Sequence, residues 1–479
     1  MSFNLATILR ESTLAHPDNP LLLMGPHVLT YGQVDEMTGR VASGLRAAGL
    51  SPSDRVAVQL PKVPELVLAF FGALKAGLTV VPMNPLLKAP EVAYHLTDSS
   101  ARLLVTLEAF AGEALRGAAD AGAVRVLVVG ATIPDGAEPF DQLLGHPGSD
   151  DVAQLGADDT AVVIYTSGTT GRPKGAMLTH FQMYMAATIG GQTFGYRDDD
   201  VRVAVLPLFH VFGLSSVMNT AIRYGAALVL VPRFDTGGVL DAIEQHRATV
   251  FCGVPTMFVA LLHADLTGRD VSSLRVCVSG GASIPGEVLA GVEAAFPGAP
   301  VLEGYGLSET CALATFNRSV DERTVLSIGK RMWGMEVRVV DADDRELPPG
   351  RDHVGELVLR GHNVMKGYLG RPEATAEAMR GGWFHTGDLG YADEDGFLYI
   401  VDRKKDLVIR GGFNVYPRLG EEVIAFVALR PRADAAPEEV VAFCRERLAA
   451  YKYPREVIVL DDLPKGASGK VLKTELRVR

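Results

Sequence analysis

The sequence predicts an α/β protein of more than one domain, on three observations. Short apolar runs alternate with helix-length amphipathic patterns through the first three hundred or so residues. Beyond Gly334 the pattern changes to short strands separated by acidic turns. At 479 residues the chain is too long to bury a single compact core. The alternation predicts layered, largely parallel α/β sheets; the later pattern predicts a small β-barrel or distorted sheet.

Taken in order, residues 33–48, 64–76 and 111–121 carry helical spacing. Residues 55–60, 79–82, 103–105 and 126–129 read as strands, being rich in Val and Leu and bounded by turn residues. The rhythm continues with strands at 161–164 and 274–278. Later strands are expected at 336–340, 355–360 and 397–401, with turns at 341–344 and 393–396. Residues 175–196 and 203–222 contain no Asp, Glu, Lys or Arg. They do contain His180, Gln182, His210 and Asn219, which favours buried helix, strand and loop over membrane spans.

Hydrophobic residues make up 48% and charged residues 22%, which excludes a disordered chain. A net charge of −11 implies no basic surface, so no nucleic-acid partner is expected and any anionic ligand needs local donors. Cys252, Cys277, Cys311 and Cys444 form no CxxC motif and read as free thiols of a reducing cytoplasm. The N-terminal residues lack the pattern of a signal peptide, and the C-terminal ones carry no targeting address.

The clearest chemical signal is the run Tyr165, Thr166, Ser167, Gly168, Thr169, Thr170, Gly171, Arg172, Pro173, Lys174, Gly175, directly after an apolar strand. Its glycines let backbone approach an anion, its hydroxyls and N–H groups can solvate phosphate oxygens, and Lys174 adds charge. A solvated Ser/Thr/Gly turn is the plain alternative. It is not a Walker loop, because Arg172 and Pro173 separate Gly171 from Lys174, and Gly175 stands where Ser or Thr is required. The run resembles the signature of the adenylate-forming (AMP-binding) superfamily, which includes acyl- and aryl-CoA ligases, peptide-synthetase adenylation domains and beetle luciferases. Further motifs follow in family order along nearly the whole chain.

The resemblance implies roles for them. In Gly304-Tyr305-Gly306-Leu307-Ser308-Glu309, Tyr305 offers a face to adenine, Gly304 and Gly306 leave room for ligand, Ser308 borders the nucleotide, and Glu309 binds magnesium, with Thr166 as a second candidate. Gly281 and Ala282, after the strand at 274–278, line the adenine and acyl sites. Asp388 is suited to the ribose hydroxyls and Arg403 to ribose or phosphate. His210 forms part of the acyl-pocket wall. Lys470 is the expected adenylation lysine, neutralising charge as the acid attacks the α-phosphate, with Lys174 also assisting. Gly412 is expected to let the pantetheine arm of coenzyme A pass.

The domains expected are 1–404, with the ATP and acyl sites, and a small mobile α+β domain at 405–479 hinged near Lys405. The expected function is an ATP- and Mg²⁺-dependent acyl-CoA ligase that forms an acyl-adenylate and transfers it to coenzyme A. No carboxylate follows Phe209, where amino-acid-activating relatives carry Asp, and Gly304 cannot pair with a second carboxylate as the Arg of malonate-activating relatives does. A neutral apolar acid is therefore favoured, a fatty acid first and an aryl-propenoic acid second. Competing readings are a luciferase-like oxygenase, a nucleotide-binding sensor without turnover, and an adenylation enzyme loading a separate carrier protein. The chain departs from the family pattern where Arg418 runs straight into Leu419, which reads either as an internal deletion that removes a helix and a strand or as a disordered stretch absent from the sequence at that point.

Overall fold

Thr30 and Thr179 begin two helices by the same local chemistry. Thr30 accepts the Gln33 amide while the Gln33 side chain accepts that of Thr30, opening the Tyr31–Ala47 helix. Thr179 and Gln182 repeat this capping box at His180–Thr193. Pro64 starts the Pro64–Lys75 helix, where its missing N–H costs nothing. The Tyr31–Ala47 and Pro64–Lys75 helices and the strand Arg55–Gln59 begin within two residues of the positions read from periodicity. The computed structural model describes residues 3–166, 172–403, 408–410, 413–416, 424–428, 435–447 and 453–460.

Two large sheets organise the chain. The eight-stranded sheet runs Gly367–Tyr368, Lys174–Thr179, Thr160–Thr166, Thr79–Pro82, Arg55–Gln59, Ala101–Leu107, Arg125–Val129, Glu138–Pro139. It is parallel except where Lys174–Thr179 folds back on Thr160–Thr166 and Gly367–Tyr368 pairs antiparallel on its outer edge. The nine-stranded sheet runs Lys330–Arg331, Thr315–Phe316, Val301–Tyr305, Val276–Ser279, Val250–Gly253, Val201–Ala204, Ala227–Leu230, Pro20–Met24, His27–Thr30. Its central strands are parallel and mostly apolar, as a sheet covered on both faces requires, with Arg202, Ser279 and Glu303 as buried polar exceptions.

One apolar core extends through both large sheets, and a second fills the other face of the eight-stranded sheet with Ala57, Val81, Leu104 and Val163. Within the first, the helices Tyr31–Ala47 and Pro64–Lys75 are joined by a buried ion pair. Lys75 Nζ, on a residue 1% exposed, donates to Asp35 Oδ1 and to the Asp35 carbonyl, both at 2.7 Å. Arg10 donates to the other Asp35 oxygen at 2.9 Å.

The later segment forms a four-stranded antiparallel sheet, Met335–Val340, Gly355–Gly361, Phe384–Ala392 and Leu398–Arg403, with register shifts near Glu356 and Leu389. This is the distorted sheet expected from the turn-rich sequence. Beyond it lie the pair Val408–Arg410 with Phe413–Tyr416, and a parallel pair, Ile424–Ala428 with Glu456–Leu460, beside the Pro437–Arg447 helix. The expected hinge at Lys405 and the junction of Arg418 with Leu419 lie outside the described residues. The charge-free stretches prove to be the helix His180–Thr193 and a π-helical run Phe212–Asn219 with flanking strand and loop. Among the described residues, no helix is long and apolar enough to cross a membrane.

Candidate active site

The expected phosphate run leaves its strand at Thr166 and returns at Lys174, and these two residues are register partners. Thr166 Oγ1 also donates to the Lys174 carbonyl at 3.5 Å. Ser167, Gly168, Thr169, Thr170 and Gly171 lie outside the described residues. Helix Ala89–Ser99 holds both ends of the run. Its Tyr94 hydroxyl donates to the Pro173 carbonyl at 2.6 Å, and its Asp98 accepts from the Tyr165 hydroxyl at 2.8 Å. Arg172 lies over the Tyr94 ring, 5.6 Å from its centroid.

Gly304 and Tyr305 end a strand of the nine-stranded sheet and pair with Phe316 and Thr315. A side chain at Gly304 would meet the Phe316 ring at 1.9 Å, and one at Gly306 the Ala312 carbonyl at 2.1 Å. In the direction a side chain would point, each of these glycines faces the protein itself. Ser308–Thr310 forms a short 3₁₀ turn that presents Glu309. Gly281 and Ala282 follow the neighbouring strand Val276–Ser279. Beside them, a side chain at Gly280 would lie 3.2 Å from the Phe212 ring and 3.4 Å from the Gly304 carbonyl, so the Phe212 end of the π-helical run faces both glycine turns.

Tyr305 reaches the four-stranded sheet. Its hydroxyl donates to Asp388 Oδ2 at 2.5 Å, and Asp388 is only 1% exposed. The Asp388 amide donates to Thr386 Oγ1, which in turn donates to the Leu357 carbonyl, so the carboxylate sits on a fixed turn. Arg403 is the register partner of Asp388, although its side chain lies outside the described part of the structure. The adenine-face and ribose candidates thus come together from separate sheets.

Glu309 is 8% exposed. Its carboxylate accepts from the Tyr368 hydroxyl at 2.8 Å, and its backbone carbonyl accepts from the Met365 amide at 2.7 Å. Lys174 Nζ stands over the Tyr368 ring, 5.3 Å from the centroid. Among the described residues, no cluster of three His, Cys, Asp or Glu side chains could cage a metal. A lone carboxylate fits Mg²⁺, which keeps most of its shell for water and substrate phosphates.

His210 precedes the π-helical run, its ring 5.1 Å from that of Phe209. Although its edge is partly exposed, burial pushes its pKa down to about 4, so it is neutral at physiological pH. Leu208, Phe209 and Leu214 line a small apolar cavity with Val58, Leu66 and Phe70. Lys470 and Gly412 lie outside the described residues. Sequence reasoning missed Tyr94, Asp98, Tyr368 and Glu303, which carry no motif. Glu303, one residue before Gly304, is 4% exposed, and its carboxyl accepts a long 3.4 Å bond from the Ile284 amide. Burial pushes its pKa up to about 8.

The sequence matches two family descriptions, AMP-binding enzyme over residues 9–369 and AMP-binding enzyme C-terminal domain over residues 415–470. It is 34% identical to a long-chain-fatty-acid–CoA ligase of Bacillus subtilis (strain 168), covering 98% of this chain and 94% of that protein. It is 37% identical to a feruloyl-CoA synthase of Amycolatopsis sp, covering 95% and 94% respectively. The fold superimposes on the crystal structure of the anthranilate CoA ligase AuaEII in complex with anthranoyl-AMP with a TM-score of 0.82 and 28% identity, over 100% of this chain and 97% of that one.

Proposed function

The chain belongs to the AMP-binding enzyme family and is an AMP-forming acid–CoA ligase; from this premise we propose that its acid is a neutral, apolar monocarboxylate, a fatty acid before an aryl-propenoic acid. The observation that carries the proposal is the wall around His210. Its imidazole is held neutral by burial, and its neighbours Leu208, Phe209 and Leu214 are apolar. Such a wall offers no charge to a second carboxylate or an α-amine. The aryl reading is favoured by the feruloyl-CoA synthase relative, and its planar acid would suit the aromatic edges of Phe209 and Phe212.

In the proposed reaction, a carboxylate oxygen of the acid attacks the α-phosphorus of ATP, and the bond to pyrophosphate breaks. Ser167, Gly168, Thr169, Thr170 and Gly171 cradle the leaving phosphates, with Lys174 and Lys470 supplying positive charge. Tyr305, Gly281, Ala282 and Ser308 border the adenylate, and Asp388 with Arg403 holds the ribose. Mg²⁺, when bound at Glu309 with help from Thr166, neutralises phosphate charge. The thiol of coenzyme A then attacks the acyl carbon, displacing AMP and giving up its proton to solvent. Residues 405–479 are proposed to reorient about Lys405 between the two halves and to bring Gly412 to the pantetheine.

Pyrophosphate release with ATP and Mg²⁺ across acetate to palmitate, cinnamate, ferulate and malonate, with and without coenzyme A, tests the proposal. Release driven by one fatty or aryl acid and multiplied by coenzyme A is expected. Malonate as the best acid would refute the neutral-acid reading. Indifference to coenzyme A would transfer the acceptor role to a carrier protein.

A further inference from the structure

A short strap, residues 365–371, is bonded both to the strand Lys174–Thr179 and to the turn that carries Glu309. The Lys366 amide donates to Met177, and the Leu369 amide to Gly175, on the strand that returns from the phosphate run. The Met365 amide donates to the Glu309 carbonyl, on the turn that ends the other large sheet. Gln182, in the capping box of the following helix, donates to the Val364 carbonyl, and Arg371 donates to Asp98 beneath Tyr165. The strap therefore has little freedom, and Tyr368 is its one aromatic side chain turned to the site.

That side chain makes two unlike contacts. Its hydroxyl donates to Glu309 Oε1 at 2.8 Å, and its ring face lies under the Lys174 ammonium. Lys174 and Glu309 carry opposite charges, and both contact Tyr368. Left to themselves they would gain by pairing directly, and each would then be lost to the phosphates or the cation. The phenol answers each with a neutral partner, a hydrogen bond for the carboxylate and a π face for the ammonium.

We propose that Tyr368 is a positioning residue for the adenylation half-reaction, holding the Glu309 carboxylate ready for Mg²⁺ and the Lys174 ammonium ready for phosphate. The proposal rests on the ligase reading above and on Glu309 as the magnesium carboxylate. Two substitutions separate the two contacts. Tyr368→Phe removes the hydrogen bond and keeps the ring; Tyr368→Leu removes both.

Calorimetric binding of ATP to the full chain, without acid and across a Mg²⁺ titration, reads positioning independently of turnover. Tyr368→Phe is expected to raise half-saturating Mg²⁺ roughly ten- to a hundredfold, the worth of one hydrogen bond to a charged group. Tyr368→Leu is expected to add a severalfold rise in the ATP Kd at saturating Mg²⁺. In Glu309→Gln, the further change to Tyr368→Phe is expected to have little additional effect on Mg²⁺, since the two act through one contact. A half-saturating Mg²⁺ within twofold of the parent in Tyr368→Phe, whatever its melting temperature, would overturn the proposal. Unfolding of Tyr368→Leu leaves the Phe comparison as the deciding measurement. Failure of every acid to release pyrophosphate from the parent enzyme sinks the ligase reading instead, and the Mg²⁺ titration distinguishes the two failures.

Discussion

Glu303→Gln should stabilise the protein, and increasingly so as pH rises. The Glu303 carboxyl is buried beside the glycine turns and titrates at about 8, against an ordinary 4.5. Between these two values the folded state holds a proton that the unfolded state has released. Stability from this group is therefore fully present below pH 4.5 and is lost as pH climbs through 8. At ~1.4 kcal/mol per tenfold, the gap sets a ceiling on the order of 4–5 kcal/mol at alkaline pH. Gln keeps the shape and the acceptor for Ile284 N–H but cannot ionise. Urea unfolding of both proteins from pH 5 to 9 gives the difference directly. Near pH 5 the two should agree within ~1 kcal/mol; by pH 9 the variant should lead by several times that. A difference that stays flat across the range would show that Glu303 ionises as an ordinary carboxylate, and the reasoning from burial would fail.

Three further outcomes follow from the packing and the proposed chemistry. Gly304→Ala should cost roughly 1–3 kcal/mol, read as a lower melting temperature, because the methyl would meet the Phe316 ring; an unchanged melting temperature would mean that Phe316 moves freely. Lys75→Met should cost roughly 3–5 kcal/mol in denaturant unfolding, since it strands the Asp35 carboxylate with Arg10 alone, and the double change Lys75→Met with Asp35→Leu should recover most of it. Lys470→Ala should abolish acid-dependent pyrophosphate release while sparing thioester formation from synthetic acyl-adenylate; equal loss of both halves would refute that division of labour.

The large elements were legible because they are periodic. The capping boxes at Thr30 and Thr179, the apolar parallel strands and the acidic turns each declare themselves over a few adjacent residues. The site motifs were legible for a related reason, since the Thr166 to Lys174 run and the Gly304 to Glu309 run are contiguous. What escaped was whatever depends on residues far apart in sequence. That a side chain at Gly304 would strike Phe316, its partner across the sheet, shows only in the fold. Tyr94 and Asp98 look like any exposed face of an amphipathic helix, yet they fasten the phosphate run. The π-helical run Phe212–Asn219 has no compositional mark, because widening a helical turn depends on packing rather than propensity. Glu303 sits next to a motif, but only burial shows that its carboxyl is abnormal.

The strap has a consequence for the order in which the molecule assembles. Its bonds span long stretches of chain: 59 residues from Tyr368 to Glu309, 182 from Val364 to Gln182, and 273 from Arg371 to Asp98. Each is a loop whose closure entropy must be met before the contact returns anything. The strands carrying the phosphate run can form from local pairings while the chain is still being made, whereas the brace across them waits for residue 371. A chain stopped before Val364 would hold Tyr165 to Glu309 in full and still lack the bonds from Met365, Lys366, Tyr368 and Leu369 that join the two large sheets at their ligand-bearing ends.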